Sequence, residues 1–195
     1  MNKAAFLDRD GTLIHDGGYI CNFKGVEFFP FAAAAVRHLN RAGYRVIVIS
    51  NQSAVARGMC SEKQVRLLHA ELQAHFAAQG AAIAAFYYCP FLADGPVAAY
   101  RRESPLRKPA PGMLLQAAGD FAIDLGASFM IGDKAEDIEA GRRAGCRTVL
   151  VRTGCGRQSE SRLADGGPRP DHIVDDLAAA AVVIAPGAAS GPGRE

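Results

Sequence analysis

The chain has no apolar run long enough to cross a bilayer, so no membrane span is expected. It has almost no excess of charge. Lys and Arg number 22 and Asp and Glu 20, a net +2 that gives no electrostatic case for nucleic acid or an anionic membrane surface. It also lacks a C-x-x-C pair. The five cysteines, Cys21, Cys60, Cys89, Cys146 and Cys155, are scattered and odd in number. That pattern argues against a disulfide framework and a four-cysteine zinc site, and predicts reduced thiols in a cytoplasm. No internal repeat is present. The opening Met-Asn-Lys enters an apolar run directly, and no signal peptide is expected.

What is present is enough to fill one core: 195 residues, 49% hydrophobic and 22% charged. A single domain is expected over 1–185, followed by a Gly/Pro/Ser-rich tail over 186–195 expected to be disordered. Apolar runs at 4–7, 45–49, 83–89, 127–131 and 147–151 read as buried strands, with 172–174 as a short edge strand. Between them, 31–42, 61–79, 112–122, 135–144 and 175–184 read as helices. Ser61 suits an N-cap, and Gly43, Gly80 and Gly145 suit helix stops. The stretches 90–107 and 153–170 read as irregular loops. Strands alternating with helices predict an α/β fold, a Rossmann-like doubly wound parallel sheet with right-handed crossovers.

The first strand ends in Asp8-Arg9-Asp10-Gly11-Thr12. Residues i and i+2 of an extended chain point the same way, so Asp8 and Asp10 can both face the mouth at the strand's C-terminal end. That edge is where open α/β sheets bind ligands. Two bare carboxylates there repel and raise each other's pKa, and a hard divalent cation such as Mg²⁺ relieves this. A lone D-x-D would be better read as a solvated turn. Here later strand ends add Ser50-Asn51 and Asp133-Lys134, and Lys108 precedes a helix nearby. Those are the parts of phosphoryl transfer: a carboxylate nucleophile, a second carboxylate for protons, and a hydroxyl and an ammonium for phosphate oxygens.

These four motifs, in this order, resemble the haloacid-dehalogenase-like (HAD) phosphatases. The wider set also resembles one branch, the heptose-bisphosphate and histidinol-phosphate phosphatases. That set is Asp16-Gly17-Gly18-Tyr19, Ser50-Asn51-Gln52-Ser53 with Ala56-Arg57-Gly58, Tyr87-Tyr88-Cys89-Pro90, Arg107-Lys108-Pro109, and Gly132-Asp133-Lys134-x-Glu136-Asp137. The resemblance implies Asp8 as nucleophile, Asp10 as proton donor and acceptor, and Ser50 and Lys108 as phosphate stabilisers. It implies Mg²⁺ on Asp8, the Asp10 main-chain carbonyl and Asp133. It implies substrate contacts from Asp16, Gly17, Gly18, Tyr19, Asn51, Gln52, Ser53, Arg107 and Lys134. The activity implied is removal of the 7-phosphate from a heptose 1,7-bisphosphate through an aspartyl-phosphate. Histidinol phosphate or another small phosphomonoester is the alternative substrate. A cytoplasmic monomer acting on a small phosphorylated sugar is expected, with no nucleic acid or membrane partner. A non-enzymatic phosphate-binding relative would carry a damaged catalytic set, and all five groups are present.

One departure stands out. The branch often holds zinc with C-P-H after the third strand and C-x-C before the Arg-Lys motif. Here those positions read Cys89-Pro90-Phe91 and Glu103-Ser104-Pro105-Leu106. One thiol cannot make a four-ligand site, so zinc is not expected, and Phe91, Leu92, Val97 and Tyr100 are candidate anchors for the loop. The intervals between motifs leave room only for a minimal, loop-only cap. Asp137 could orient Lys134 or a metal-bound water, or simply be an acid in a first helical turn. Arg57 and Arg107 next to motif residues suggest substrate contact. His15 is expected on a loop, and His38, His69 and His75 on helices as surface or core filling.

Overall fold

A computed structural model describes residues 1–164 and 166–187. Six parallel strands form one sheet: β1 (Lys3–Leu7), β2 (Tyr44–Asn51), β3 (Ile83–Cys89), β4 (Phe129–Gly132), β5 (Arg147–Val151) and β6 (His172–Val174). Their order is β3-β2-β1-β4-β5-β6. The order reverses between β1 and β4, the place where such a sheet opens a crevice at its C-terminal edge.

The alternation of β1 divides the core. Ala5 and Leu7 face a layer made by α1 (Ala32–Arg41), α2 (Glu62–Ala78) and α6 (Leu177–Ile184). Ala4 and Phe6 face α3 (Gly112–Phe121) and α4 (Ala135–Ala144). All four are buried, as both faces of a parallel sheet require. Ser61 caps α2 in a reciprocal box: its Oγ accepts the Gln64 N–H at 3.2 Å, and Gln64 Oε1 accepts the Ser61 N–H at 2.9 Å.

Three expectations need correction. The stretch 153–170 is not all loop, because Gly156–Ala164 forms α5. Leu163 packs it onto Ile138 and Leu150, and the Arg152 guanidinium grips Glu160 from the strand end at 2.8 and 2.9 Å. The fourth strand starts at Phe129 rather than residue 127. Ala127 and Ser128 form a turn in which Ala127 N–H bonds Asp124 Oδ1 and Ser128 N–H bonds the Leu125 carbonyl. The thiols are not all reduced: Cys21 and Cys60 form a disulfide, their Cα atoms 5.6 Å apart. These residues lie on the loops after the neighbouring strands β1 and β2, so their proximity is tertiary and leaves no local signature. Cys89, Cys146 and Cys155 are free. Of the tail, residues 188–195 lie outside the described residues.

Apart from single turns of 3₁₀-helix at Phe23–Gly25 and Ala98–Tyr100, the chain over 11–31 and 90–107 is loop and turn. Around the second loop, Leu92 N–H bonds the Tyr100 carbonyl and Val97 N–H bonds the Ala56 carbonyl, both at 3.1 Å. Tyr100 Oη donates to Glu62 at 3.0 Å. The four expected anchors are joined by two arginines. Arg101 donates to the carbonyls of Gly95 (2.6 Å) and Pro96 (2.8 Å), and Arg102 lies 3.7 Å over the Phe91 ring. No helix among the described residues is long and apolar enough to cross a membrane.

Candidate active site

The C-terminal ends of β1, β2 and β4 and the start of α3 converge. Lys108 is the hub, buried with its side chain 1% exposed. Its Nζ lies 2.7 Å from Asp8 Oδ1 and 2.6 Å from Asp137 Oδ1, and donates to the Ile49 carbonyl at 2.8 Å. Burial works against its charge, but Asp137 and Asp8 outweigh burial and hold the ammonium protonated above the ordinary lysine value. Asp137 is therefore an ion partner of Lys108. Its second oxygen accepts the Lys134 N–H at 3.0 Å, which also serves the start of α4. Asn51 ties two of these ends together: Nδ2 donates to the Lys108 carbonyl and Oδ1 accepts the Lys108 N–H, at 3.0 and 3.1 Å.

Asp8, Asp133 and Asp137 present carboxylate oxygens within 4.8 Å of one another. Asp133 is fully buried. One oxygen accepts the Cys155 N–H at 2.7 Å, and the other, Oδ1, has no hydrogen-bond partner. A buried carboxylate oxygen without a donor is costly unless something positive faces it. The backbone also crowds this acid: a Cβ at Gly11 (φ +83°) or at Gly154 would run into the Asp133 carboxylate. Hard oxygen donors, an unsatisfied oxygen and close-packed backbone fit a small divalent cation. Both Asp137 oxygens are engaged, by Lys108 and by the Lys134 N–H, whereas Asp8 meets Lys108 through Oδ1 alone, so Asp8 and Asp133 are the carboxylates with an oxygen left for it.

The cluster has a consequence for stability. Burial first, then the neighbouring carboxylates, raise the Asp133 pKa above its ordinary 3.8. An acid raised in the folded state favours folding while protonated, and that contribution fades as pH rises through the folded value. Without a divalent ion, Asp133→Asn should therefore melt progressively higher than wild type as pH rises from the carboxylate range to neutrality and beyond. Saturating Mg²⁺ should cancel the difference by stabilising wild type alone. Melting curves with and without Mg²⁺ check this, and a gap that does not change with pH would refute it.

Asp10 turns elsewhere. The Arg9 guanidinium embraces its carboxylate, with Nε 3.1 Å from each oxygen and Nη2 3.0 Å from Oδ1. Gln52 Nε2 donates to Asp10 Oδ2 at 3.2 Å and to Ser50 Oγ at 2.7 Å. Burial raises the Asp10 pKa, Arg9 opposes this, and Asp8 adds to it. A carboxyl raised by burial near an aspartate paired with a lysine is the pattern of an acid and nucleophile pair.

A cavity of about 420 Å³ opens beside Asp10. Of the expected contact residues, Asp16, Gly18, Tyr19, Asn51, Gln52, Ser53, Arg107 and Lys134 line it, and Gly17 does not. Lys134 Nζ lies 3.3 Å from Asp16 Oδ2, and Arg107 Nη1 donates to the Phe91 carbonyl at 3.2 Å. Arg57 is exposed and lies 5.9 Å over the Tyr19 ring, outside the lining. Arg9, Ala54 and Glu136 also line the cavity and were not expected there. The spacing of Arg9 between two acids was the available signal. Thr153, outside the lining, donates through Oγ1 to the Gly11 carbonyl at 2.6 Å. The His15 ring lies tilted against Phe29 in its loop, His38 lies near the Ala185 carbonyl, and His75 stacks on Phe28.

A doubly wound sheet with two acids after β1, a hydroxyl at the end of β2, a buried lysine before α3 and an acid after β4 defines the HAD-like hydrolases. A family model described as HAD-hydrolase-like matches residues 105–180. A D-glycero-D-manno-heptose-1,7-bisphosphate 7-phosphatase from Thermosynechococcus vestitus is 45% identical over 91% of this chain and 92% of its own length. A D-glycero-beta-D-manno-heptose-1,7-bisphosphate 7-phosphatase from Yersinia pestis is 39% identical over 90% and 91%. The crystal structure of D,D-heptose 1,7-bisphosphate phosphatase from B. bronchiseptica, complexed with magnesium and phosphate, superposes with a TM-score of 0.82 at 30% identity. It covers 93% of this chain and 97% of that one. The chain belongs to this family of HAD-like phosphatases.

Proposed function

We propose that this protein removes the 7-phosphate of D-glycero-D-manno-heptose 1,7-bisphosphate through an aspartyl-phosphate on Asp8, with Mg²⁺ as its ion. The observation that carries the chemistry is the pairing of a buried Asp8–Lys108 contact with an unpartnered Asp133 oxygen, beside an Arg9-held Asp10. The family's printed substrate carries the choice of sugar.

Asp8 forms the new P–O bond while the bond to the sugar oxygen breaks. Asp10 gives its proton to that departing oxygen. In the second half, Asp10 takes a proton from water as the water attacks the aspartyl-phosphate, and inorganic phosphate leaves. Lys108 and Ser50 hold the phosphoryl oxygens not transferred. Held by Asp8, Asp133 and the Asp10 main-chain carbonyl, Mg²⁺ supplies positive charge that lets an anionic carboxylate approach an anionic phosphate. Asp16, Tyr19, Asn51, Arg107 and Lys134 orient the rest of the substrate in the open cavity. Without a separate cap domain, an exposed terminal phosphate suits the site sterically.

Zinc is not part of the proposal. Loop 90–107 is held by the Arg101, Arg102 and Tyr100 contacts, and less than a tenth of an equivalent of zinc on ~10 µM purified protein would agree with the weak metal-binding capacity of one thiol. Kinetics on both anomers of the heptose bisphosphate, and on histidinol phosphate, test the substrate. We expect kcat/KM on the heptose bisphosphate to lead by about a hundredfold or more, a difference of roughly 2.7 kcal/mol. A preference for histidinol phosphate would overturn the choice of sugar and leave the phosphatase chemistry standing. Removal of divalent ions should abolish turnover on every substrate.

A further inference from the structure

Behind Asp10 lies a residue that the reaction above does not use. Arg9 is 1% exposed, and its Nε and Nη2 are committed to the Asp10 carboxylate. Its remaining terminal nitrogen, Nη1, lies 3.3 Å from Nε2 of His69. A guanidinium can only donate, so the imidazole Nε2 is the acceptor and the ring is neutral. His69 is buried on α2 and stacks on Phe86, with centroids 4.7 Å apart and planes 20° from parallel. Tyr88 closes its edge at 5.5 Å. Burial, and then Arg9, hold the His69 pKa down to about 3.

The chain of contacts has a direction. α2 and β3 fix the ring, the ring fixes one end of the guanidinium, and the other end grips Asp10. Asp10 lies past the end of β1, directly before Gly11, and has one other side-chain donor, Gln52. Without an anchor for Nη1, a buried N–H loses its acceptor and the guanidinium is free to turn towards another one. The carboxylate would then turn with it.

We infer that His69 is a positioning residue for proton transfer by Asp10, acting through Arg9. This rests on the reading of Asp10 as the group that protonates the departing sugar oxygen. His69 touches no substrate and is not a catalytic residue. In kcat/KM its effect is read on the first half-reaction, in which the Asp10 O–H bond breaks and the proton passes to the sugar oxygen as the P–O bond opens; the proton that Asp10 takes back from water follows that step.

The discriminating measurement is kcat/KM on two substrates with different leaving groups. The heptose bisphosphate expels an alkoxide, which needs the proton. p-Nitrophenyl phosphate expels a stabilised phenolate, which does not. His69→Phe keeps a ring on Phe86 and removes the acceptor, whereas His69→Gln keeps an acceptor near the same place. We expect His69→Phe to lower kcat/KM on the heptose bisphosphate about tenfold, part of the ~10²–10⁴ that a positioned general acid supplies, with p-nitrophenyl phosphate changed by less than about twofold. His69→Gln should recover most of the loss. His69→Leu, which likewise removes the acceptor, should show the same selective fall and serves if His69→Phe does not fold.

An equal fall on both substrates would mean a merely structural role and would overturn the inference, as would no fall on either or no recovery with Gln. A wild-type enzyme inactive on both substrates would instead bring down the phosphatase reading, and this inference with it.

Discussion

Asp8→Asn is expected to end turnover, lowering kcat by about a thousandfold or more, as loss of a covalent nucleophile does. Asparagine has nearly the same shape but is a far weaker nucleophile for phosphorus. The melting temperature should not fall with it. Lys108 keeps its contact with Asp137 at 2.6 Å and with the Ile49 carbonyl. Removing one of three buried carboxylates also lowers the repulsion that raises the Asp133 pKa. In metal-free buffer the variant should therefore melt at or above wild type. A variant that unfolds would leave its inactivity unexplained by chemistry, and one that retains substantial activity would remove Asp8 as the nucleophile. Circular dichroism melting and steady-state kinetics on the same sample separate these outcomes.

Lys108→Met is expected to damage both fold and activity. The substitution keeps an unbranched side chain of similar length. It leaves Asp8 and Asp137 without their shared ammonium, in a place where their side chains are 5% and 0% exposed. Breaking a buried pair from one side costs about 3–5 kcal/mol. Adding Asp137→Asn should restore much of that stability, because it removes the stranded charge. It should not restore activity, because the non-transferred phosphate oxygens still lack their cation. Urea unfolding of the single and double variants measures the first part, and kcat of the double variant the second. A single variant as stable as wild type would show that Lys108 is not the electrostatic hub drawn here.

Much of this site was legible because its chemistry sits at strand ends. β1 runs apolar on both faces and stops in two acids, and the same grammar recurs at Ser50 and at Asp133. A parallel sheet brings those ends to one edge whatever the loops do. The cap at Ser61 was legible for the same local reason. What stayed hidden depends on contacts across the fold. Asp137 reads equally as an orienting group for Lys134 or a metal-bound water and as a helix-start acid, because four-residue spacing from Asp133 is all a sequence displays, and its partner Lys108 lies 29 positions earlier. His69 reads as surface or core filling on a helix, since nothing local ties it to Arg9, 60 positions away. α5 has few apolar residues and read as loop. It is a helix because Leu163 finds Ile138 and Leu150, and because Glu160 finds Arg152. The Cys21–Cys60 bond likewise exists only after β1 and β2 are side by side.

The orientation of Asp10 joins the two levels. Sequence spacing alone allowed both acids to face one cation. Arg9 and Gln52 hold the Asp10 carboxylate, while Lys108 takes Asp8. The two side chains thus have separate partners, which is what a division into nucleophile and proton carrier requires.

The most direct test is a single-turnover experiment with heptose 1,7-bisphosphate carrying radioactive phosphorus at the 7-position only. The reaction is quenched in acid within its first turnover, and the protein is digested and mapped. Transient label is expected on the peptide containing Asp8, decaying as labelled inorganic phosphate appears. Label that never enters the protein, that enters at another residue, or that stays on the sugar while the 1-phosphate leaves would contradict it.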